Sequence, residues 1–166
     1  EHIEVIHPND IPRLAAMGVV ASMQPPHPPG NHGLPLEPYL SRIGEGRWPY
    51  AFAWKALRET GARLAFGTDW PVSDIDPMWS IQSAMTRPRW NERCPDNRQS
   101  LHQALHSYTA DGAYAGFMEG KLGKLKTGML ADVVVLPVDL EHTDPAMFKG
   151  IRPRMTICDG RVVFEG

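Results

Sequence analysis

Two side chains in this 166-residue sequence have the type and position for hydrolytic chemistry, His2 and Asp69. Each is read at the end of a short apolar stretch with strand character. A neutral imidazole and a carboxylate are natural zinc ligands. A carboxylate beside a metal-activated water can also take its proton, because the metal lowers the pKa of that water to about 7. In a β/α architecture, loops at the carboxyl ends of the strands converge on one site, where such groups would meet. Structural roles are open to the same residues: a lone histidine hydrogen-bonds within a fold, and a turn aspartate caps its own backbone. Strand alternation turns Glu4 to the same face as His2, either as a partner for the imidazole or as a solvated group.

Other candidates are weaker or fail on inspection. His27 and His32 lie in a loop rich in proline, where an imidazole could reach a substrate or be simply exposed. His102 and His106 are four apart, but Gln103 stands where the zincin motif needs glutamate, so that motif is discarded. No glycine-rich phosphate loop and no G-x-S-x-G nucleophile elbow occurs. The only cysteines, Cys94 and Cys158, are too far apart for a paired-cysteine zinc site or a disulfide framework. With 17 Lys+Arg against 19 Asp+Glu and a net charge of -2, there is no basic stripe for nucleic acid. No apolar run approaches the roughly 20 residues of a membrane span, and no signal-peptide pattern opens the chain, so the expected location is cytoplasmic.

The elements that must position these groups alternate in type. A strand is predicted over His2–Ile6, a helix over Ile11–Met17 stopped by Gly18, and a strand over Val19–Met23. A long connection follows from Gln24 to Pro49, dense in proline and glycine, of a size that is usually functional or disordered. Helical spacing returns over Tyr50–Thr60 with Gly61 as its cap, then a strand over Ala62–Phe66 and a turn that sets Asp69 at its carboxyl end. Further helices are expected over Met78–Thr86, with Asp76 as cap and Pro77 first, over Leu101–Tyr108 opened by Ser100, and over Asp111–Met118. From Gly120 the pattern turns to β, ending in two strands joined by Asp159-Gly160, a strong hairpin signal. The division expected is therefore 1–119 as a partial β/α-barrel domain and 120–166 as a β-sandwich segment. The chain opens at Glu1 without an initiator methionine, and a complete barrel takes about 250 residues, so a piece of a longer protein is expected.

Several ordered blocks together carry a family resemblance. These are Glu1-His2, the block from Gly18 to His27, Leu64 to Val72 around Gly67-Thr68-Asp69, Tyr108 to Ala115, and Gly128 to Leu136 before the terminal hairpin. The chain resembles the C-terminal part of a metal-dependent amidohydrolase, of the family 3 branch that includes N-substituted formamide deformylases. The resemblance implies an α/β fold: strands six to eight of a TIM-type barrel, then a small β unit belonging to a sandwich. It implies His2 as the strand-six histidine, ligating a metal or, depending on how many metals bind, polarising the substrate carbonyl, and Asp69 as the strand-eight aspartate, a metal ligand that also carries the proton. It further implies a divalent metal, zinc first, and hydrolysis of a small amide-type substrate toward which the loop of Gln24 and His27 reaches; Arg47, in the same long connection, is expected either to help bind that substrate or to be a surface residue. The family's remaining ligands have no counterpart here, so the isolated chain is expected to be inactive and to need its missing N-terminal half or a homo-oligomeric partner. The competing reading is a non-catalytic remnant serving binding or assembly, since an incomplete barrel exposes strand edges.

Overall fold

The computed structural model describes residues 1–31 and 34–166; His32 lies outside the described residues. Among the described residues there are two β units: a parallel pair of strands buried in the core and an antiparallel three-stranded sheet formed by the C-terminal part.

The buried pair is built by two similar helix-to-strand units. Helix α1 (Ile11–Ala16) leads to strand β1 (Ala21–Met23), and helix α3 (Trp54–Glu59) leads to strand β2 (Leu64–Phe66). Both helices end the same way. Gly18 at φ 66° and Gly61 at φ 88° provide left-handed residues that a side chain would strain. Their amides donate to Ala15 and Arg58, and the next amides, of Val19 and Ala62, reach back to Leu14 and Leu57. This paired bonding is the Schellman motif, which satisfies the last helix carbonyls and turns the chain sharply. The strands leave side by side and parallel, Ala21 beside Leu64 and Met23 beside Phe66. Their buried side chains pack with Trp54, Leu57 and Phe148, all fully buried.

After β2, helix α4 (Pro77–Thr86) starts with Asp76 accepting from the Met78 amide and Pro77 in its first turn. Helix α5 (Leu101–Tyr108) opens with a capping box, in which Ser100 and Gln103 each bond the other's backbone. Helix α6 (Ala110–Ala115) follows it directly. In the C-terminal part, β3 (Val133–Val135) pairs with β4 (Met155–Cys158), and β4 pairs with β5 (Arg161–Glu165). Asp159 and Gly160 form the hairpin turn with φ of 48° and 75°. Between β3 and β4, the 3-10 segment Pro145–Gly150 lies against α4 and buries Phe148 in the core. Among the described residues, no helix is long and apolar enough to cross a membrane.

Three expectations are corrected. No strand forms over His2–Ile6. His2 and Ile3 adopt left-handed φ of 64° and 51°, which breaks an extended run, and only Val5 makes a bridge, to Ala51. The connection from Gln24 to Pro49 is not all loop, since it contains helix α2 (Leu36–Ile43) and a 3-10 turn over Glu45–Tyr50. The proline run hid that helix in the sequence. The helix expected from Tyr50 begins only at Trp54, because Ala51 is held in the bridge and Phe52 has φ 47°.

Candidate metal centre

Three side chains meet beyond the carboxyl ends of β1 and β2. His27 comes from the loop after β1 and Asp69 from the turn after β2. His2 comes from the N-terminal segment, whose amide donates to the Ser22 carbonyl of β1 at 2.8 Å. Asp69 sits at φ 59°, an arrangement that aspartate tolerates better than most residues, and its carbonyl accepts from the Val72 amide at 2.7 Å. The strands are parallel and adjacent, so their following loops necessarily leave at the same end. This is the reason residues 42 positions apart in sequence can share a site, as 69 minus 27 counts them.

The distances define a compact donor set. One ligating atom each of His2, His27 and Asp69 lies within 4.8 Å of the others. His2 Nδ1 is 3.9 Å and His27 Nε2 3.8 Å from Asp69 Oδ2, longer than hydrogen bonds. The two imidazoles stack with ring centroids 5.7 Å apart. Both of those nitrogens are buried without a hydrogen-bond partner in the protein. Buried polar atoms are rarely left so, because an unpaired one costs about 1–3 kcal/mol. Two imidazole nitrogens and a carboxylate oxygen at this spacing suit a divalent cation such as zinc, which takes three protein ligands in catalytic sites. The residues present therefore fit the metal.

Electrostatics point the same way. Burial lowers the pKa of His27 below its usual value, outweighing the opposing pull of Asp69 and Glu4. The imidazole is thus neutral at pH 7, the form that ligates. Glu4 Oε1 lies 4.0 Å from His27 Nδ1. The sequence reading considered Glu4 as a partner for His2; the fold sets it beside His27 instead, because the expected strand alternation is absent.

A cavity of about 570 Å3 adjoins these groups. Besides His2, Glu4, His27 and Asp69, it is lined by Leu34, Val72, Ser73, Asp74, Trp79 and Lys149. Gln24, expected to bind substrate, is buried and is not among the lining residues; its Nε2 donates to Glu1 Oε1 at 3.5 Å and its buried Oε1 has no hydrogen-bond partner. Arg47, expected to reach the substrate, is exposed and outside the cavity. Its Nη1 donates to the Ile43 carbonyl at the end of α2. Trp79 and Lys149 were missed in the sequence. The Lys149 ammonium stands 4.9 Å from the Trp79 ring centre, and its amide donates to Gln82 Oε1. No local signal connects two residues 70 positions apart, as 149 minus 79 counts them.

The sequence model of the amidohydrolase family matches residues 1–164. The chain belongs to the amidohydrolase family. YtcJ of Bacillus subtilis (strain 168) is 32% identical over 171 residues, covering 99% of this amidohydrolase chain and 31% of YtcJ. An uncharacterised metal-dependent hydrolase from Pyrococcus furiosus superposes with a TM-score of 0.61 at 30% identity, over 77% of this chain and 25% of that one. An adenosine deaminase from Xanthomonas campestris with bound zinc has the same fold, with a TM-score of 0.65 at 18% identity, over 98% of this chain and 36% of that one. The chain thus spans about a third or less of the length of these relatives. Its α/β fold is that of part of a metal-dependent hydrolase.

Proposed function

We propose that this chain supplies strands six to eight of an amidohydrolase barrel over residues 1–119 and a sandwich segment over 120–166. In this reading it contributes His2 and Asp69 as metal ligands to a site hydrolysing the C–N bond of a small amide or formamide. The observation that carries the reading is the convergence of two partnerless imidazole nitrogens and the Asp69 carboxylate within 4.8 Å at the mouth of a cavity. When bound, a divalent cation, zinc first, supplies Lewis acidity that makes water a nucleophile near neutral pH.

The chain's own residues then have distinct tasks. Asp69, at 31% side-chain exposure, stays open enough to the cavity to take a proton from the attacking water and deliver it to the leaving nitrogen. His27, 9% exposed, is kept neutral by burial, and its Nε2 faces Asp69 either as a further donor to the ion or as a hydrogen-bonding group for the substrate carbonyl. The Gln24 carbonyl accepts from the His27 amide at 3.1 Å and so helps to set the His27 loop. The further ligands implied by the resemblance have no counterpart in these 166 residues, so this reading expects the isolated chain to be inactive.

Replacing Asp69 by Asn in the full-length enzyme tests the proton-carrying role. The expected loss in kcat is about 10²- to 10⁴-fold, the usual worth of a general acid–base group, with the far-UV circular dichroism unchanged. Near-normal turnover would refute the assignment.

A further inference from the structure

The core holds a buried cation with aromatic rings around it. Arg87, just past the end of α4, is 7% exposed. Its Nη1 donates to the Phe52 carbonyl at 2.7 Å and its Nη2 to the Ala51 carbonyl at 3.1 Å. The guanidinium carbon lies 5.4, 5.1 and 5.3 Å from the ring centres of Phe52, Trp54 and Trp90. Burial pushes its pKa down to about 10, so it remains charged at neutral pH. Such a buried guanidinium is costly unless every donor and face is engaged, and this one is held by carbonyls and ring faces.

The box grips both segments that carry histidines. On one side, the Phe52 amide donates to Glu4 at 2.9 Å and the Ile6 amide to Tyr50 at 3.1 Å, tying the strained 50–52 corner to the segment that begins with His2. On the other side, Trp90 Nε1 donates to the Pro29 carbonyl at 2.9 Å. Pro25, Pro26, Pro28 and Pro29 are all fully buried. Prolines have no amide hydrogen, so this buried loop offers carbonyls that need a donor from elsewhere. Trp90, set edge-on to Tyr39 and Phe52, supplies it.

We propose that Arg87 and Trp90 form a positioning unit that fixes the separation of His2 and His27 and thereby the affinity and geometry of the metal site. The inference rests on the metal reading above and adds residues that touch neither ion nor substrate. Outer groups that orient ligands typically contribute about 10- to 100-fold in metal affinity.

The test is Co2+ binding to the full-length protein, followed by its visible d–d absorption. Trp90→Phe keeps an aromatic six-membered ring but removes the pyrrole part of the indole with its N–H; we expect affinity about 10-fold weaker with a changed band shape, and Trp48→Phe makes the same ring truncation elsewhere. Trp48→Phe is the matched control, since Trp48 Nε1 donates to the Leu40 carbonyl at 3.0 Å away from the site. It should alter thermal stability alone. Parental Co2+ affinity and band shape in Trp90→Phe would overturn the proposal, as would equal weakening in both tryptophan variants. Parental affinity in Asp69→Ala would remove the metal reading itself, and this inference with it, whereas parental affinity in His27→Ala alone would take His27 out of the ligand set and overturn this inference. A measurement free of substitutions gives the reciprocal: Zn2+ should slow hydrogen exchange at the Trp90 indole, and unchanged exchange there overturns the coupling.

Discussion

The two β units of this protein are made from similar residues and have opposite surroundings. Strand β2, Leu64-Ala65-Phe66, is buried at every position, whereas β5, Arg161-Val162-Val163-Phe164-Glu165, is exposed at every position. The difference follows from connection. β1 and β2 are parallel, so each needs a helix to return the chain, and those helices cover them. β3, β4 and β5 are antiparallel, β4 and β5 through a two-residue turn, and no helix is required over their faces. The covered pair also delivers His27 and Asp69 at one end, because parallel strands send their following loops the same way. Within these residues the parallel pair is enclosed by the chain's own helices, whereas β5 has no covering layer from them.

Substitutions can break this contrast directly. Leu64, with no exposure in β2, should cost about 2–5 kcal/mol on replacement by Ala, because transfer energy and a cavity add. Val162→Ala in β5, where the residue is 55% exposed, should change stability by no more than about 0.5 kcal/mol in the same urea titration. Comparable losses would mean that the two units are equally integrated. Gly160 at φ 75° tests the hairpin that replaces a helical crossover: Gly160→Ala should cost about 1 kcal/mol, and a neutral result would mean the turn relaxes freely.

The finest test contrasts a histidine from each part in metal-free protein. His27 has its pKa lowered by burial, whereas His142, exposed beyond β3, has its pKa raised by the hydrogen bond from its ring to Asp139 Oδ2 at 2.8 Å. For His27 the unfolded chain binds the proton more readily. Its neutral form supports the fold above pH 6.5, and that support is lost as pH falls through the lowered value. For His142 the sign reverses: the pair contributes below pH 6.5 and is lost as pH rises through the raised value. NMR titration of the ring protons should give midpoints on opposite sides of 6.5; the reverse order would break the assignment.

Much of the scaffold was legible because its signals are local. Gly18 and Gly61 announce helix ends, Asp76-Pro77 and Ser100 announce helix starts, and Asp159-Gly160 announces the hairpin, each through backbone geometry that few residues can adopt. Helix α2 was not legible, since prolines and glycines around it mask its apolar spacing. The N-terminal segment was misread for another reason: its alternation suits a strand, yet His2 and Ile3 take left-handed φ, with the His2 amide bonded to Ser22 of β1 and the Ile3 amide turned back to the Glu1 carbonyl.

For the site, the sequence offered Asp69 at a strand end and noted His27, but it offered His2 through a strand that does not form. That the three converge, that Glu4 faces His27, that Lys149 and Trp79 line the cavity and that Arg47 does not, were decided by the tertiary structure alone. The physical reason is range. Caps, turns and periodicity act over a few residues and are written in the chain, whereas the hold of Trp90 on Pro29 spans 61 positions and exists only once the core has brought them together.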